Sequence, residues 1–272
     1  MPHPALRAHV SRYVQIALDV PRDGTMRHSL SALTGPAIAV FWSGQVIMQD
    51  IGAAAPLPPC SMIGPLTRWH DNVIVGPLQS FCVHFTPLGA NALLHLRGGG
   101  IADRAVALAD LLQPPLDTEV RAWADEVMHA RSFAERVAAT DRFFMRRLRR
   151  AASPPDLLAV AIARLTGDGE DRTRVSALAS QLACSERTLR RHFREELGLS
   201  VKRFVRITRF QRAHAFLQRS SHTEWAGAVL RFGYVDQAHL IRDYREFAGT
   251  TPARYSAGER FLDTALTRRT MR

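Results

Sequence analysis

The sequence predicts two domains of different class. The first is an α+β sensor-like domain, strand-rich and then helical. The second is an all-α DNA-binding domain with two helix-turn-helix units joined by a long linker helix. Short β-prone runs between Gly/Pro turns fill roughly the first 85 residues, and helical periodicity follows. The formal charge of +11 is also uneven, because residues 171–272 hold 20 Lys+Arg against 10 Asp+Glu. Such a basic domain indicates a polyanionic partner.

The chain of 272 residues is long enough for two ordinary domains. We predict a sensor or dimerisation domain over 1–150 and a DNA-binding domain over 155–262. Residues 151–172 are predicted to hold the linker and the first helix region, because "AASPP" breaks the helical pattern there. Residues 263–272 form a predicted C-terminal tail.

The strand predictions rest on runs of β-branched and aromatic residues. In the last of these runs Phe81, Val83 and Phe85 alternate with polar or small residues, which predicts a half-buried strand. The predicted strands are 37–44, 45–50 and 79–85.

The helix predictions begin after Pro87, where the period of the apolar residues changes. In the first domain the predicted helices are 88–97, 103–112, 117–130 and 132–150. In the second they are 155–166, 174–182, 185–196, 200–219, 223–232, 236–248 and 252–260.

Several classes of function lack their sequence signals. No Gly-rich phosphate loop, G-x-S-x-G or HExxH is present. The histidines of the first domain show no HxH spacing, and Cys60, Cys82 and Cys184 form no CxxC. We therefore assign no catalytic residue, no metal ligand and no cofactor. No membrane span or signal peptide is predicted, and a reducing cytoplasm is the expected location.

An internal repeat indicates the function of the second domain. A shift of 51 residues brings Leu189 onto Leu240 and "FRE" at 193–195 onto "YRE" at 244–246. Ser185 then matches Asp236, and both residue types are good helix N-caps. Each capped helix follows a short helix and a tight turn. The repeat therefore predicts two helix-turn-helix units in register.

The first capped helix has an apolar stripe and a basic face. At about 100° per residue, Leu189, Phe193 and Leu197 share the stripe. Guanidinium groups on the opposite face can donate to phosphate or to guanine. The alternative is an exposed basic face with no partner. The outward residues are Arg187, Arg190, Arg191 and Arg194.

The second capped helix is predicted to be the weaker reader. Ala238 and Ile241 face outward and can touch a thymine methyl but cannot donate to a base edge. His239 has two interpretations, a phosphate contact or a structural hydrogen bond between helices. The candidate DNA-binding residues on this helix are Gln237, Ala238, His239, Arg242 and Arg245.

The helix predicted over 200–219 lies between the two readers and contains no Gly or Pro. Twenty helical residues span ~30 Å, close to the roughly 34 Å between successive major-groove faces. This match favours two helices that read adjacent turns of one duplex.

The second domain resembles the AraC/XylS family of bacterial transcription regulators. The resemblance rests on "LASQLACSERTLRRHFREELGLSVKRF" and "FGYVDQAHLIRDYREFAGTTPARY", and it covers about 174–258. It implies base contacts at Arg187, Arg190 and Arg191 in the first helix and at Gln237, Ala238 and Arg242 in the second. Ala183 departs from the family, because a turn glycine is usual there.

The resemblance also bears on the first domain and on partners. "GPLQSFCVHFTPLGANALL" is similar to a strand, "P-x-G" and helix segment of sensor domains in this family. The implied partner is double-stranded operator or promoter DNA. RNA polymerase, a small-molecule effector and a homodimer through the first domain are further possible partners.

Two alternatives remain open at this point. The first domain can be an enzyme or a small-molecule-binding module with the DNA-binding unit as an accessory, and a convergent polar pocket would favour that. The chain can also be a nonspecific architectural DNA binder. Trp42 and Trp69 can line a ligand cavity or belong to the core, and "RWHD" at 68–71 has no role that the sequence assigns.

Overall fold

The structure is a computed structural model that describes residues 1–49, 55–149, 156–167, 175–218 and 225–256. Residues 151–155 and 168–172 of the predicted linker and the whole predicted tail 263–272 lie outside these ranges. None of the helices in the described ranges is long and apolar enough to cross a membrane.

The first domain contains one six-stranded antiparallel sheet. The strands follow the order β1-β5-β3-β4-β6, and β2 also pairs with β5. The longest strand, β5, therefore holds three neighbours along its length. The strands are β1 Val10–Leu18, β2 Thr25–Leu30, β3 Ala37–Met48, β4 Cys60–Ile63, β5 His70–Phe85 and β6 Ala105–Ala107.

Three helices cover one face of the sheet. The first lies between β5 and β6 in the chain, and the other two follow β6. Aromatic rings fill the space between the sheet and the helices. The ring centroids of Phe85 and Phe144 lie 5.5 Å apart, edge to face, and those of Trp123 and Phe143 lie 5.3 Å apart, stacked. Such pairs add to the stabilisation from apolar burial. The helices are α1 Gly89–Leu94, α2 Leu116–His129 and α3 Phe133–Leu148.

Two predictions for the first domain are wrong. Residues 103–112 are not an α-helix: Ala105–Ala107 forms β6 and a 3-10 turn follows at Leu108–Leu111. Pairing with β4, where Ser61 lies opposite Ala107, overrides the helical preference of this Ala/Leu-rich run. The predicted strands 37–44 and 45–50 are one strand, β3, whose register shifts between Phe41 and Gln45.

The strand predicted at 79–85 is buried on both faces, not on one. Phe81, Val83 and Phe85 pack against the helices, as the alternation predicts. Ser80 and Cys82 on the opposite face are also buried, because the sheet curls around an internal cavity that they line.

The second domain is helical throughout its described residues. Its core is built from both capped helices and the helix between them, with Phe193, Phe204, Phe210 and Phe247 almost fully buried. The helices are α4 Asp156–Thr166, α5 Val175–Gln181, α6 Glu186–Leu197, α7 Val201–Leu217, α8 Trp225–Arg231, α9 Gln237–Ala248 and α10 Pro252–Ser256.

Candidate DNA-binding surface

The first capped helix, α6, is fixed at both ends by its own sequence. The Ser185 hydroxyl accepts a hydrogen bond from the Thr188 N–H at 3.1 Å, and Gly198 ends the helix in the left-handed conformation with φ of 69°. The predicted stripe of Leu189, Phe193 and Leu197 is buried. Its burial holds the helix so that the opposite face points to solvent.

The four predicted arginines of α6 are all exposed. Arg190 forms an ion pair with Glu186 at 2.7 Å, one turn earlier on the helix. Within the described residues, no carboxylate pairs with Arg187, Arg191 or Arg194. An exposed pair contributes little to stability, so Arg190 can exchange Glu186 for another acceptor at small cost. The face is therefore a cluster of guanidinium groups open to an anionic partner.

The second capped helix, α9, repeats this scaffold. The Asp236 carboxylate accepts from the His239 N–H at 2.6 Å, and Gly249 ends the helix with φ of 72°. Leu240 and Tyr244 are buried as predicted. Ile241, predicted to face outward, is half-buried. The remaining outward residues, Gln237, Ala238, Arg242 and Arg245, are exposed.

His239 is held by neighbours within the protein. An Arg209 Nη2 donates to its Nε2 at 3.0 Å, and its ring meets Tyr234 edge to face at 5.1 Å. Burial and then the nearby Arg209 charge lower the pKa of His239. A neutral imidazole that accepts from Arg209 fits a structural hydrogen bond between helices better than a phosphate contact.

An ionic network joins α7 to α9, and the sequence did not lead us to predict it. Asp243 is fully buried and accepts from Arg206 at 2.7 Å and from Arg209 at 3.0 Å. Glu246, one turn later, pairs with Arg203 and Arg206. A signal existed: arginines recur every three residues along α7, and carboxylates lie three apart on α9. Part of the positive charge of this domain therefore holds the fold together.

The turns before the two capped helices differ in one respect. Gly233 has φ of 68° in the second turn, whereas Ala183 has φ of 51° in the first. In both turns a main-chain N–H reaches back five residues, from Cys184 to Ala179 and from Tyr234 to Val229. Ala183 thus adopts a conformation that costs a residue with a Cβ about 1–2 kcal/mol.

The first domain encloses a cavity of about 540 Å³ between β1, β2, β3 and β5. Its walls are mainly apolar side chains, among them Ile74 and Leu78. Asn72 is 2% exposed, and its Oδ1 has no hydrogen-bond partner among the described residues. Burial, followed by the Arg12 charge, lowers the pKa of His84 in the wall to about 3. The cavity is therefore an apolar container with an unsatisfied acceptor.

Trp42 and Trp69, the two candidate cavity tryptophans, do not line this cavity. Trp42 is half-buried beneath the guanidinium of Arg136, which lies 4.2 Å from the ring centroid. Trp69, within "RWHD", contacts the second domain at Gly249. Within the described residues, no group of three or more His, Cys, Asp or Glu side chains is placed to hold a metal ion.

Comparisons with known proteins agree with this geometry. Residues 178–258 match a family model described as "Helix-turn-helix domain". ToxT from Vibrio cholerae, bound to (E)-4-(8-methylnaphthalen-1-yl)but-3-enoic acid, has a similar structure with a TM-score of 0.51 and 7% identity, covering 90% of this chain and 98% of ToxT. A second ToxT structure gives a TM-score of 0.50, 7% identity and the same coverage.

A transcriptional regulator from Chromobacterium violaceum, with an AraC-type DNA-binding domain, is 24% identical over 38% of this chain and 90% of that one, with a TM-score of 0.35. A comparison with curated proteins found no match.

The duplicated helix-turn-helix and its exposed basic face define a DNA-binding transcription regulator. Residues 178–258, which hold both capped helices, carry the helix-turn-helix domain that the family model describes. The strand-rich first domain followed by this domain reproduces the two-domain fold of ToxT. The predicted fold class is thereby confirmed. The roles of individual residues and the exact domain limits stay predictions.

Proposed function

We propose that the protein reads two adjacent major grooves, with α6 as the dominant reading helix and α9 as the weaker one. The observation that carries the proposal is the exposed arginine face of α6 on a helix held by a buried stripe. Arg187, Arg190 and Arg191 would donate to base edges, and Arg194 to phosphate. On α9, Gln237, Ala238 and Arg242 would meet bases, and Arg245 the backbone.

The linker helix α7 supports a two-headed arrangement. Its 17 residues give a length of ~25 Å at 1.5 Å per residue, shorter than the 20 residues predicted. The shorter rod still separates two helices whose N-caps and C-caps are equivalent. The helix is shorter than the roughly 34 Å between successive major-groove faces, so the equivalent caps and not its length carry the expectation of two half-sites about one helical turn apart.

The test is to sequence the duplexes that the purified protein retains from a random pool. Binding to a selected duplex and to a random duplex is then compared at one salt concentration. A specific reader should prefer the selected duplex by at least about 10³-fold. Equal affinity for the selected and the random duplex would instead indicate a nonspecific architectural binder that contacts phosphates alone.

We also propose that the cavity of the first domain binds a small-molecule effector. An apolar body would fill the cavity, and a hydrogen-bond donor on the ligand would satisfy Asn72 Oδ1. The fold shared with ToxT supports a ligand here, because one ToxT structure holds a naphthalenyl butenoic acid. The exposed lining of the cavity is mainly apolar, which favours binding over catalysis.

The cavity has a short connection to α9. Leu33 and Leu66 line it and exchange main-chain hydrogen bonds at 3.0 and 2.9 Å. The neighbouring Ala32 N–H donates to the Phe247 carbonyl of α9 at 2.8 Å. A ligand that moves Ala32, Leu33 and Leu66 would change the placement of α9. The effect of the ligand on DNA affinity would then be limited by how much more tightly the ligand binds one placement of α9 than the other.

The effector is tested with 1-decanol and decanoate, a pair of equal chain length. Decanol can donate to Asn72 Oδ1, whereas ionised decanoate only accepts. We expect decanol to raise the melting temperature more, and the difference to disappear in Asn72→Leu. Stabilisation by decanoate alone would contradict this ligand class and point to Arg12 at the cavity wall as an anion partner.

A homodimer through the first domain and contact with RNA polymerase stay predictions. Sedimentation of the full chain at several concentrations tests the first, and transcription from a promoter carrying the selected duplex tests the second.

A further inference from the structure

Both reading helices end against the first domain. At the end of α6, a 3-10 turn at Gly98–Gly100 touches the helix through its backbone, because a Cβ on Gly98 would lie 2.5 Å from the Leu197 carbonyl carbon. The buried Glu196 side chain accepts from the Asn91 amide and faces the Arg97 Nε at 3.5 Å. The C-terminal end of α6 is therefore seated on residues 91–100.

The end of α9 rests on a different segment of the first domain. A Cβ on Gly249 would lie 2.6 Å from the Trp69 ring, so the indole packs directly on the helix terminus. The main-chain N–H of Trp69 donates to the main-chain carbonyl of Glu246 at 3.3 Å. Residues 67–69 thus hold α9 as the 98–100 turn holds α6.

One polar cluster joins these two segments. The Asp103 carboxylate accepts from the Thr67 N–H at 2.7 Å, from the Thr67 hydroxyl at 2.5 Å, and from His70 Nε2 at 3.2 Å. Its own N–H donates to the Pro65 carbonyl at 2.9 Å. Burial raises the pKa of Asp103, but the hydrogen bonds from His70 and Thr67 outweigh it and lower the pKa overall. We call Thr67, His70 and Asp103 the strut.

The connection between α6 and α7 is short enough to act as a hinge about which α6 could rotate if the strut were lost. Only Gly198, Leu199 and Ser200 separate α6 from α7, and Gly198 has φ of 69°. Such short connections absorb backbone rotation in hinge motions. By contrast, α9 is fixed to α7 by the ionic network of Asp243 and Glu246. Within the described residues, α6 packs on α7 through apolar contacts, among them Phe193 against Phe204, and no ion pair joins the two helices. Rotation of α6 relative to the α7–α9 unit is therefore the motion that the strut limits.

We infer that the strut sets the relative placement of the two reading helices, and with it the half-site spacing that the protein accepts. Thr67, His70 and Asp103 are positioning residues: they touch no DNA and act through the 67–69 and 98–100 segments. The inference rests on the proposed two-headed reading.

The experiment uses the full chain and the duplex selected from the random pool. One base pair is added or removed between the half-sites, which moves one half-site by ~3.4 Å and rotates it about the axis. Wild-type affinity should fall by at least about tenfold, the loss of one good base contact. In Asp103→Asn the penalty should shrink to within about threefold, since the amide cannot accept from both Thr67 groups as the carboxylate does.

The measured quantity is the ratio of the affinity for the selected duplex to the affinity for the duplex with altered spacing. A merely structural role of the strut would leave this ratio unchanged. Affinity for a duplex with the first half-site alone should stay within about twofold of wild type, because the arginine face of α6 is unchanged. Asp71→Asn is the matched control: it removes a carboxylate from β5 that pairs with Arg27 at the surface, at 3.1 Å. This control should keep the wild-type spacing penalty.

A folded Asp103→Asn that keeps the wild-type spacing penalty overturns the inference. If that variant does not fold, Thr67→Val removes one hydrogen bond and Gly98→Ala separates the turn from α6, and the same ratio is measured in each. If wild type itself tolerates every spacing, or selects one half-site only, the two-headed reading is wrong and this inference is overturned with it.

Discussion

The two reading helices have the same caps and the same buried stripe, yet their polar residues serve different ends. On α6, four arginines are exposed and only Arg190 pairs with a carboxylate within the described residues. On α9, Asp243 and Glu246 bind three arginines of α7. The duplicated scaffold therefore carries an exposed basic face in one copy and a structural joint in the other. Basic side chains along a helix therefore indicate DNA binding only where they are not already paired with carboxylates of the same protein.

The largest effect that tests this comparison is on stability. Asp243→Ala removes the buried carboxylate that Arg206 and Arg209 share, and breaking such a buried pair costs about 3–5 kcal/mol. We expect the free energy of unfolding in urea to fall by about that much. On α6, Glu186→Gln breaks only an exposed pair and should cost less than ~1 kcal/mol. Equal losses in the two variants would erase the contrast between the helices.

The next effect is on DNA affinity. Arg190→Ala should cost ~1–3 kcal/mol of binding free energy and relax the preference at one base pair. Titration of the selected duplex and its single-base variants measures both quantities. Arg164→Ala removes an equal charge from an exposed site on α4 and serves as the control. A loss that is uniform over all sequences would make Arg190 a phosphate contact and not a base reader.

The repeat, the caps and the buried stripes could be predicted because each depends on local sequence. Ser185 and Asp236 cap their helices as their residue types predict, and every predicted helix of the second domain has a counterpart in the structure. The matched family model confirms the kind of DNA-binding domain.

What could not be predicted depends on contacts between distant segments. The short strand Ala105–Ala107 exists because β4 lies beside it, and its composition alone favours a helix. Ser80 and Cys82 are buried because the sheet curls, which a single strand cannot reveal. The role of "RWHD" needs Gly249, which lies 180 residues further along the chain. The helices, their caps and the exposed basic face of α6 were therefore accessible from the sequence, whereas the joint between the domains was not.

A smaller effect compares the two turns. Ala183→Gly relieves a left-handed alanine and should raise the free energy of unfolding by about 1 kcal/mol, and Gly233→Ala should lower it by a similar amount. Urea unfolding of both variants measures the pair. A destabilised Ala183→Gly would show that the alanine methyl makes packing contacts that outweigh the backbone cost.

The smallest effect is expected at Ala238, on the exposed face of α9. Ala238→Ser adds a hydroxyl where the wild type offers only a methyl, so it removes no existing hydrogen bond. If α9 is the weaker reader, the affinity for the selected duplex should change by less than ~0.5 kcal/mol, the usual range for a surface substitution. The same titration that serves Arg190→Ala measures it. A change as large as that of Arg190→Ala would mean that α9 reads bases at this position as strongly as α6 does, and the assignment of a dominant first helix would be wrong.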